Sequence, residues 1–136
     1  MGRVTGKIAL VTGGASGLGR ASARMLAAEG ARVVVGDLDE EGARRVAGEI
    51  GEAATAVRHD VTVEDDWHRA IETARAAFGG LNVLVNNAGV VIAKDIEQTS
   101  MEEWRQVHAV NLDGVFLGCK LALPVMREHG PGSIIN

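Results

Sequence analysis

The chain contains no tyrosine, a single cysteine and two prolines, and aromatic residues make up only 3% of its 136 positions. The lone Cys119 excludes an intrachain disulfide and fits a reducing compartment, with a small buried thiol on a helix as its ordinary role. Acids and bases are interleaved, the net charge is −4 and no basic patch exists, so nucleic acid is not an expected partner. The four histidines, at 59, 68, 108 and 129, share no ligand spacing with one another or with Cys119, so no metal site is expected. No long apolar run follows Arg3, no stretch reads as membrane-spanning, and the expected location is cytoplasmic, away from membranes.

What is present is enough apolar material, 46%, to bury a core, and a glycine cluster around which the rest is arranged. The apolar run Lys7 to Val11 reads as a buried parallel strand. It leads into Thr12 to Gly19, Thr-Gly-Gly-Ala-Ser-Gly-Leu-Gly, and then into a segment of good helix formers, Arg20 to Glu29, stopped by Gly30. A strand-to-helix turn aims free backbone N–H groups and the positive end of the helix at one spot, which suits a phosphate. The spacing Gly-x-x-x-Gly-x-Gly differs from the general dinucleotide fingerprint, and no Walker lysine follows, which disfavours a nucleotide hydrolase. A second strand, Ala31 to Gly36, ends at Asp37, 24 positions after Gly13, near the separation expected of a ribose-binding carboxylate.

The alternation continues. A helix begins at the acids Asp39, Glu40 and Glu41 and ends at Gly51. A third strand, Thr55 to His59, closes on Asp60 and Val61. Thr62 and Asp65 are expected to form a capping box for a helix that packs Trp67, Ala70, Ile71, Ala74 and Phe78. A fourth strand, Leu81 to Val85, runs into Asn86-Asn87-Ala88-Gly89. Ser100 and Glu103 predict a second capping box, opening a long helix that Pro124 should bend or interrupt. That helix is apolar on two sides, with Trp104, Val107, Val110, Leu112, Phe116, Leu117 and Leu121, and a second apolar face implies a subunit contact. Gly132 to Asn136 starts a fifth strand. Strands alternating with helices, joined by right-handed crossovers, predict an α/β Rossmann-type doubly wound parallel sheet of order 3-2-1-4-5. Its ligand crevice lies at the carboxyl ends of strands 1 and 4, where these motifs meet.

Taken together, Thr12 to Gly19, Asp60-Val61, Asn86 to Gly89, Asn111 and Gly132 to Asn136 resemble the short-chain dehydrogenase/reductase family. Within it they resemble bacterial hydroxysteroid dehydrogenases of the 3α/20β kind. The resemblance implies an NAD-dependent oxidoreductase that interconverts an alcohol and a ketone on a small, steroid-like molecule, working as a dimer or tetramer. It assigns Gly13, Gly17 and Gly19 to the pyrophosphate loop and Asp37 to the adenosine ribose. Asp60 and Val61 take the adenine, while Asn87, Ala88 and Gly89 take the nicotinamide-ribose side, and Ser16, Leu18, Leu38 and Val110 are further cofactor-binding residues. Asn111 is implied as the catalytic asparagine, whose backbone holds a water. Plainer roles stay open: Asp37 and Asp60 as helix caps, Asn86 and Asn87 as pins of the strand end, Asn111 as a solvent-facing residue. The family's catalytic serine and Tyr-x-x-x-Lys are absent. Residues 1–136 therefore read as the cofactor-binding, amino-terminal half of a longer single-domain enzyme, shortened after the fifth strand and inactive alone. A non-catalytic dinucleotide-binding or interaction module is the alternative.

Overall fold

In the computed structural model, which describes residues 2–136, the apolar runs become five parallel strands: β1 (Ile8–Thr12), β2 (Arg32–Asp37), β3 (Ala54–Arg58), β4 (Val83–Val85) and β5 (Ser133–Ile135). Their order is β3-β2-β1-β4-β5, as the crossover rule requires. Period-two alternation explains why each central strand is apolar throughout. Leu10, Val34 and Leu84 face one layer, while Ala9, Val11, Val33, Val35 and Val83 face the other, so both faces are buried. Helices α1 (Gly17–Ala28) and α2 (Glu40–Ile50) cover the second face through Ala23, Ala43, Val46 and Ala47. On the first face lie α3 (Glu64–Phe78) and α5 (Gly114–Glu128), through Trp67, Ala70, Ile71, Ala74, Ala122, Val125 and Met126.

Helix α4 (Met101–His108) opens with the Ser100–Glu103 capping box, each partner bonded to the other's backbone N–H. Three expectations fail, each for a local reason. The capping box at Thr62 does not form: α3 starts behind Val63, which makes no side-chain cap, and Thr62 turns back to Asp60 Oδ1 at 2.6 Å. That short-range bond competes with the cap. The break at Pro124 does not occur either, since α5 runs on to Glu128 with Ala122, Val125 and Met126 buried around the proline. Packing there outweighs the one lost backbone bond. The departure from α geometry lies instead at Ala109–Asp113, a π turn between α4 and α5.

The third concerns length. The continuous helical run Met101–Glu128 is long and apolar enough to cross a membrane by size and composition alone. In this fold the apolar residues divide. Gly114, Gly118, Ala122, Val125 and Met126 sit in the core, while Trp104, Leu112 and Phe116 stay exposed on another side.

Candidate functional site

The turn after β1 is shaped by what cannot fit in it. Gly13 takes φ +64°, and a Cβ on Gly19 would stand 2.1 Å from the Gly13 carbonyl oxygen, closer than any real contact. Helix α1 is thereby drawn against the end of β1. No acid stands in its first turn, and the side chain of Ser16 caps none of its N–H groups. An uncompensated helix start faces outward there, with the positive end of its dipole.

A hydroxyl ties this turn to the end of β4. Thr12, buried, accepts the backbone N–H groups of Asn87 (3.1 Å) and Ala88 (3.0 Å) and donates to the Val85 carbonyl (3.3 Å). Asn87 returns the tie, its amide donating to the carbonyls of Thr12 (3.0 Å) and Gly13 (3.1 Å). Asn87 therefore does pin a strand end, and it lines the cavity described below as well. Asn86 donates to Asn136 Oδ1 at 2.9 Å.

Asp37 is not a helix cap. Asp39 caps α2 by accepting from the Gly42 N–H, while Asp37 accepts the N–H of Ala15 (3.0 Å) at Oδ2 and of Asp39 (3.0 Å) at Oδ1. Each oxygen keeps a second lone pair. Asp60 is no helix cap either, since its Oδ1 holds Thr62.

These pieces surround one cavity of about 460 Å³. Gly13, Ser16, Gly17, Leu18, Asp37, Leu38, Asp60, Val61, Asn87, Ala88, Gly89 and Val110 all line it, together with Val90 and His59, which the sequence reading did not select. Gly19 does not line it: it is buried and acts through packing against Gly13. Asn111 belongs to an adjoining cavity of about 640 Å³, which meets the first at Val90 and is walled by Val91, Ile96, Met101, Trp104 and Val107. The side chain of Asn111 is not simply solvated. Its Oδ1 accepts the Val90 N–H and its Nδ2 donates to the Val90 carbonyl, each at 2.8 Å, so it clamps the segment between the two cavities. Asn111 also stands in the middle of the π turn, where i→i+5 bonding displaces the usual backbone pairing. No group of three or more His, Cys, Asp or Glu side chains suited to a metal occurs among the described residues.

His59 is nearly fully buried, with its ring edge-on to Trp67 at 4.3 Å and neither nitrogen hydrogen-bonded. Burial pushes its pKa down to about 4, against the pull of the Asp66, Asp60 and Asp37 carboxylates and with a smaller push from Arg69. An unfolded chain takes up that proton near 6.5, so between pH 6.5 and 4 the unfolded state binds more protons than the folded one. Stability is therefore full above that window and falls as the pH drops through it, by roughly 3 kcal/mol in all. Thermal melts across the window should show this loss, and His59→Leu should flatten it. An unchanged slope in the variant would rule His59 out as the cause.

A family model described as short chain dehydrogenase matches residues 7–136. The chain is 50% identical over 135 residues to the 3-alpha-(or 20-beta)-hydroxysteroid dehydrogenase of Mycobacterium bovis, covering 99% of this chain and 52% of that protein. It is 42% identical over 137 residues to the NADP-dependent (R)-specific alcohol dehydrogenase of Lentilactobacillus kefiri, covering 98% and 54% respectively. Among solved structures, a 3-ketoacyl-(acyl-carrier-protein) reductase from Brucella melitensis complexed with NADH matches with a TM-score of 0.90 at 43% identity, over 93% of this chain and 53% of that one. The chain spans about half the length of the curated relatives it matches.

Proposed function

The chain belongs to the short-chain dehydrogenase family, and from that premise we propose that it is the NAD-binding part of an oxidoreductase interconverting an alcohol and a ketone. One observation carries the reading: the carboxyl ends of β1, β2, β3 and β4 wall a single cavity whose floor is the glycine turn. Gly13, Ser16, Gly17 and Leu18 would hold the pyrophosphate at the bare start of α1. Asp37 and Leu38 would take the adenosine ribose, Asp60 and Val61 the adenine, and Asn87, Ala88, Gly89 and Val110 the nicotinamide-ribose end. A bound nicotinamide supplies the hydride chemistry, and the protein positions it. Asn111 would orient the boundary between cofactor and substrate through Val90.

NAD is proposed over NADP because the spare lone pairs of Asp37 suit a 2′-hydroxyl and its charge repels a 2′-phosphate. The adjacent Ser16 is not basic. Arg20 is turned away, both carboxylate oxygens of Glu49 accepting from its Nη2 at 2.8–2.9 Å. The relative from Lentilactobacillus kefiri is NADP-dependent, so calorimetric titration with both cofactors is the test, and tighter binding of NADP would overturn the assignment. The second cavity, rich in apolar side chains, favours an alicyclic, steroid-like substrate. The absence of tyrosine supports a second reading, a dinucleotide-binding module without chemistry of its own. In the first reading residues 1–136 are the amino-terminal half of a single-domain enzyme, cytoplasmic in keeping with its lone thiol.

Trp104, Leu112 and Phe116 are each more than half exposed along α4, the π turn and α5, and on this we base a homo-oligomer. Light scattering should give a mass above the monomer, and Phe116→Glu should lower it. A wild-type protein that is already monomeric would end the proposal.

A further inference from the structure

Two consecutive residues at the start of α3, Asp66 and Trp67, do not line the nucleotide cavity themselves but hold the backbone of two residues that do. The Asp66 carboxylate is almost buried. Its Oδ2 accepts the Asp60 N–H at 2.8 Å and Arg58 Nη1 at 3.1 Å, and its Oδ1 accepts Arg69 Nη1 at 2.8 Å. Burial works to raise this carboxyl's pKa, but the Asp60 N–H and the two guanidinium groups outweigh it and hold the pKa below the ordinary value. The group is thus a fixed anion. Trp67, fully buried, donates its indole N–H to the Val61 carbonyl at 2.9 Å. One residue holds the donor side of the Asp60–Val61 pair, and its neighbour holds the acceptor side.

The brace is closed from above by α5. A Cβ on Gly114 would stand 2.8 Å from Val61 Cγ2, and one on Gly118 would stand 2.6 Å from the Trp67 ring, so the helix lies directly on both partners. The His59 ring, edge-on to Trp67, fills the remaining side. The two grips and the packing over them leave the Asp60–Val61 backbone little room to shift.

We propose that Asp66 and Trp67 are positioning residues for the base end of the dinucleotide site, setting where Asp60 and Val61 present themselves to the purine. The inference rests on the dinucleotide reading above. A merely structural pair would lower stability when altered and leave base recognition untouched. A positioning pair governs the choice between bases, because that choice depends on where the Asp60–Val61 backbone and carboxylate stand.

The experiment titrates the chain with NAD, with nicotinamide hypoxanthine dinucleotide and with nicotinamide mononucleotide, which has no purine. Trp67→Phe keeps an aromatic side chain of smaller volume and removes the N–H, and Asp66→Asn keeps the shape and removes the charge. Each variant should weaken NAD about tenfold, shrink the preference for adenine over hypoxanthine, and leave the mononucleotide unchanged. Weakening of all three ligands to the same degree, or an unaltered base preference, overturns the proposal while the dinucleotide reading stands. Failure of the wild-type chain to bind NAD overturns both. Should Asp66→Asn not fold, Trp67→Phe decides alone, because the mononucleotide, which has no purine, separates a general loss of structure from a loss at the base.

Discussion

Assayed with NADH and a panel of cyclic ketones, the 136-residue chain is expected to oxidise no cofactor above background. Reduction of a ketone needs a proton delivered to the developing alkoxide, and a positioned acid is worth roughly 10²–10⁴-fold. The sequence holds no tyrosine. Most polar groups around the second cavity already have partners. Asn111 is clamped to Val90 through both amide atoms, and an amide is no acid in this range. Ser100 Oγ accepts the Glu103 N–H, Lys94 is paired with Glu103, and Nδ1 of His108 lies 2.9 Å from the Trp104 carbonyl oxygen. Water remains as a donor, but an unpositioned one. Absorbance of NADH over time reads the outcome. A rate within about tenfold of a complete dehydrogenase relative would mean that an acid within these residues has been overlooked.

Asp37→Ala is expected to weaken NAD binding about ten- to a hundredfold, with a smaller loss for NADP, so that the preference between the two narrows. The variant removes a charged acceptor, and hydrogen bonds to charged groups are worth about 1.5–3 kcal/mol. It also releases the N–H groups of Ala15 and Asp39, loosening the glycine turn that both cofactors share, and this second loss falls on NAD and NADP alike. The ratio therefore isolates the contribution at the ribose. Calorimetry with both cofactors measures it. A ratio unchanged from wild type would leave Asp37 with the backbone role alone.

The architecture was legible because it rests on signals a sequence carries openly. Apolar runs of strand length alternate with helical patterns, each strand is apolar on both faces, and handed crossovers leave one strand order. Most of the residues that line the first cavity were legible because they follow the carboxyl ends of strands, whereas Gly19 and Asn111, also assigned there, lie outside its lining. What escaped the sequence is made by tertiary geometry. The hydroxyl of Thr12 reads as a strand terminus until Asn87 and Ala88 arrive 75 and 76 positions later. Trp67 reads as a core aromatic on its periodicity, which says nothing of the direction of its N–H. Asp66 reads as one acid among three at a helix start. The π turn leaves no mark in the spacing of apolar residues, so the irregularity in the long helix was assigned to Pro124, the residue with the known backbone defect, instead of to Ala109–Asp113.

The position of β1 in the middle of the sheet bears on how the chain assembles during synthesis. Partners in β1 and β2, such as Ile8 and Arg32, lie 24 residues apart, and Val33 and Ala54 of β2 and β3 lie 21 apart. Ala9 must wait for Val83, 74 residues on, before its other side is paired. Loop-closure entropy rises only logarithmically with such separations, so the cost of the wait is less in stability than in time. While translation proceeds, β1 offers an open edge toward the vacant place of β4, lined by Ala9 and Val11, and that edge is exposed to other nascent chains. The strand that anchors the nucleotide turn is thus among the first to pair on one side and among the last to be sealed on the other.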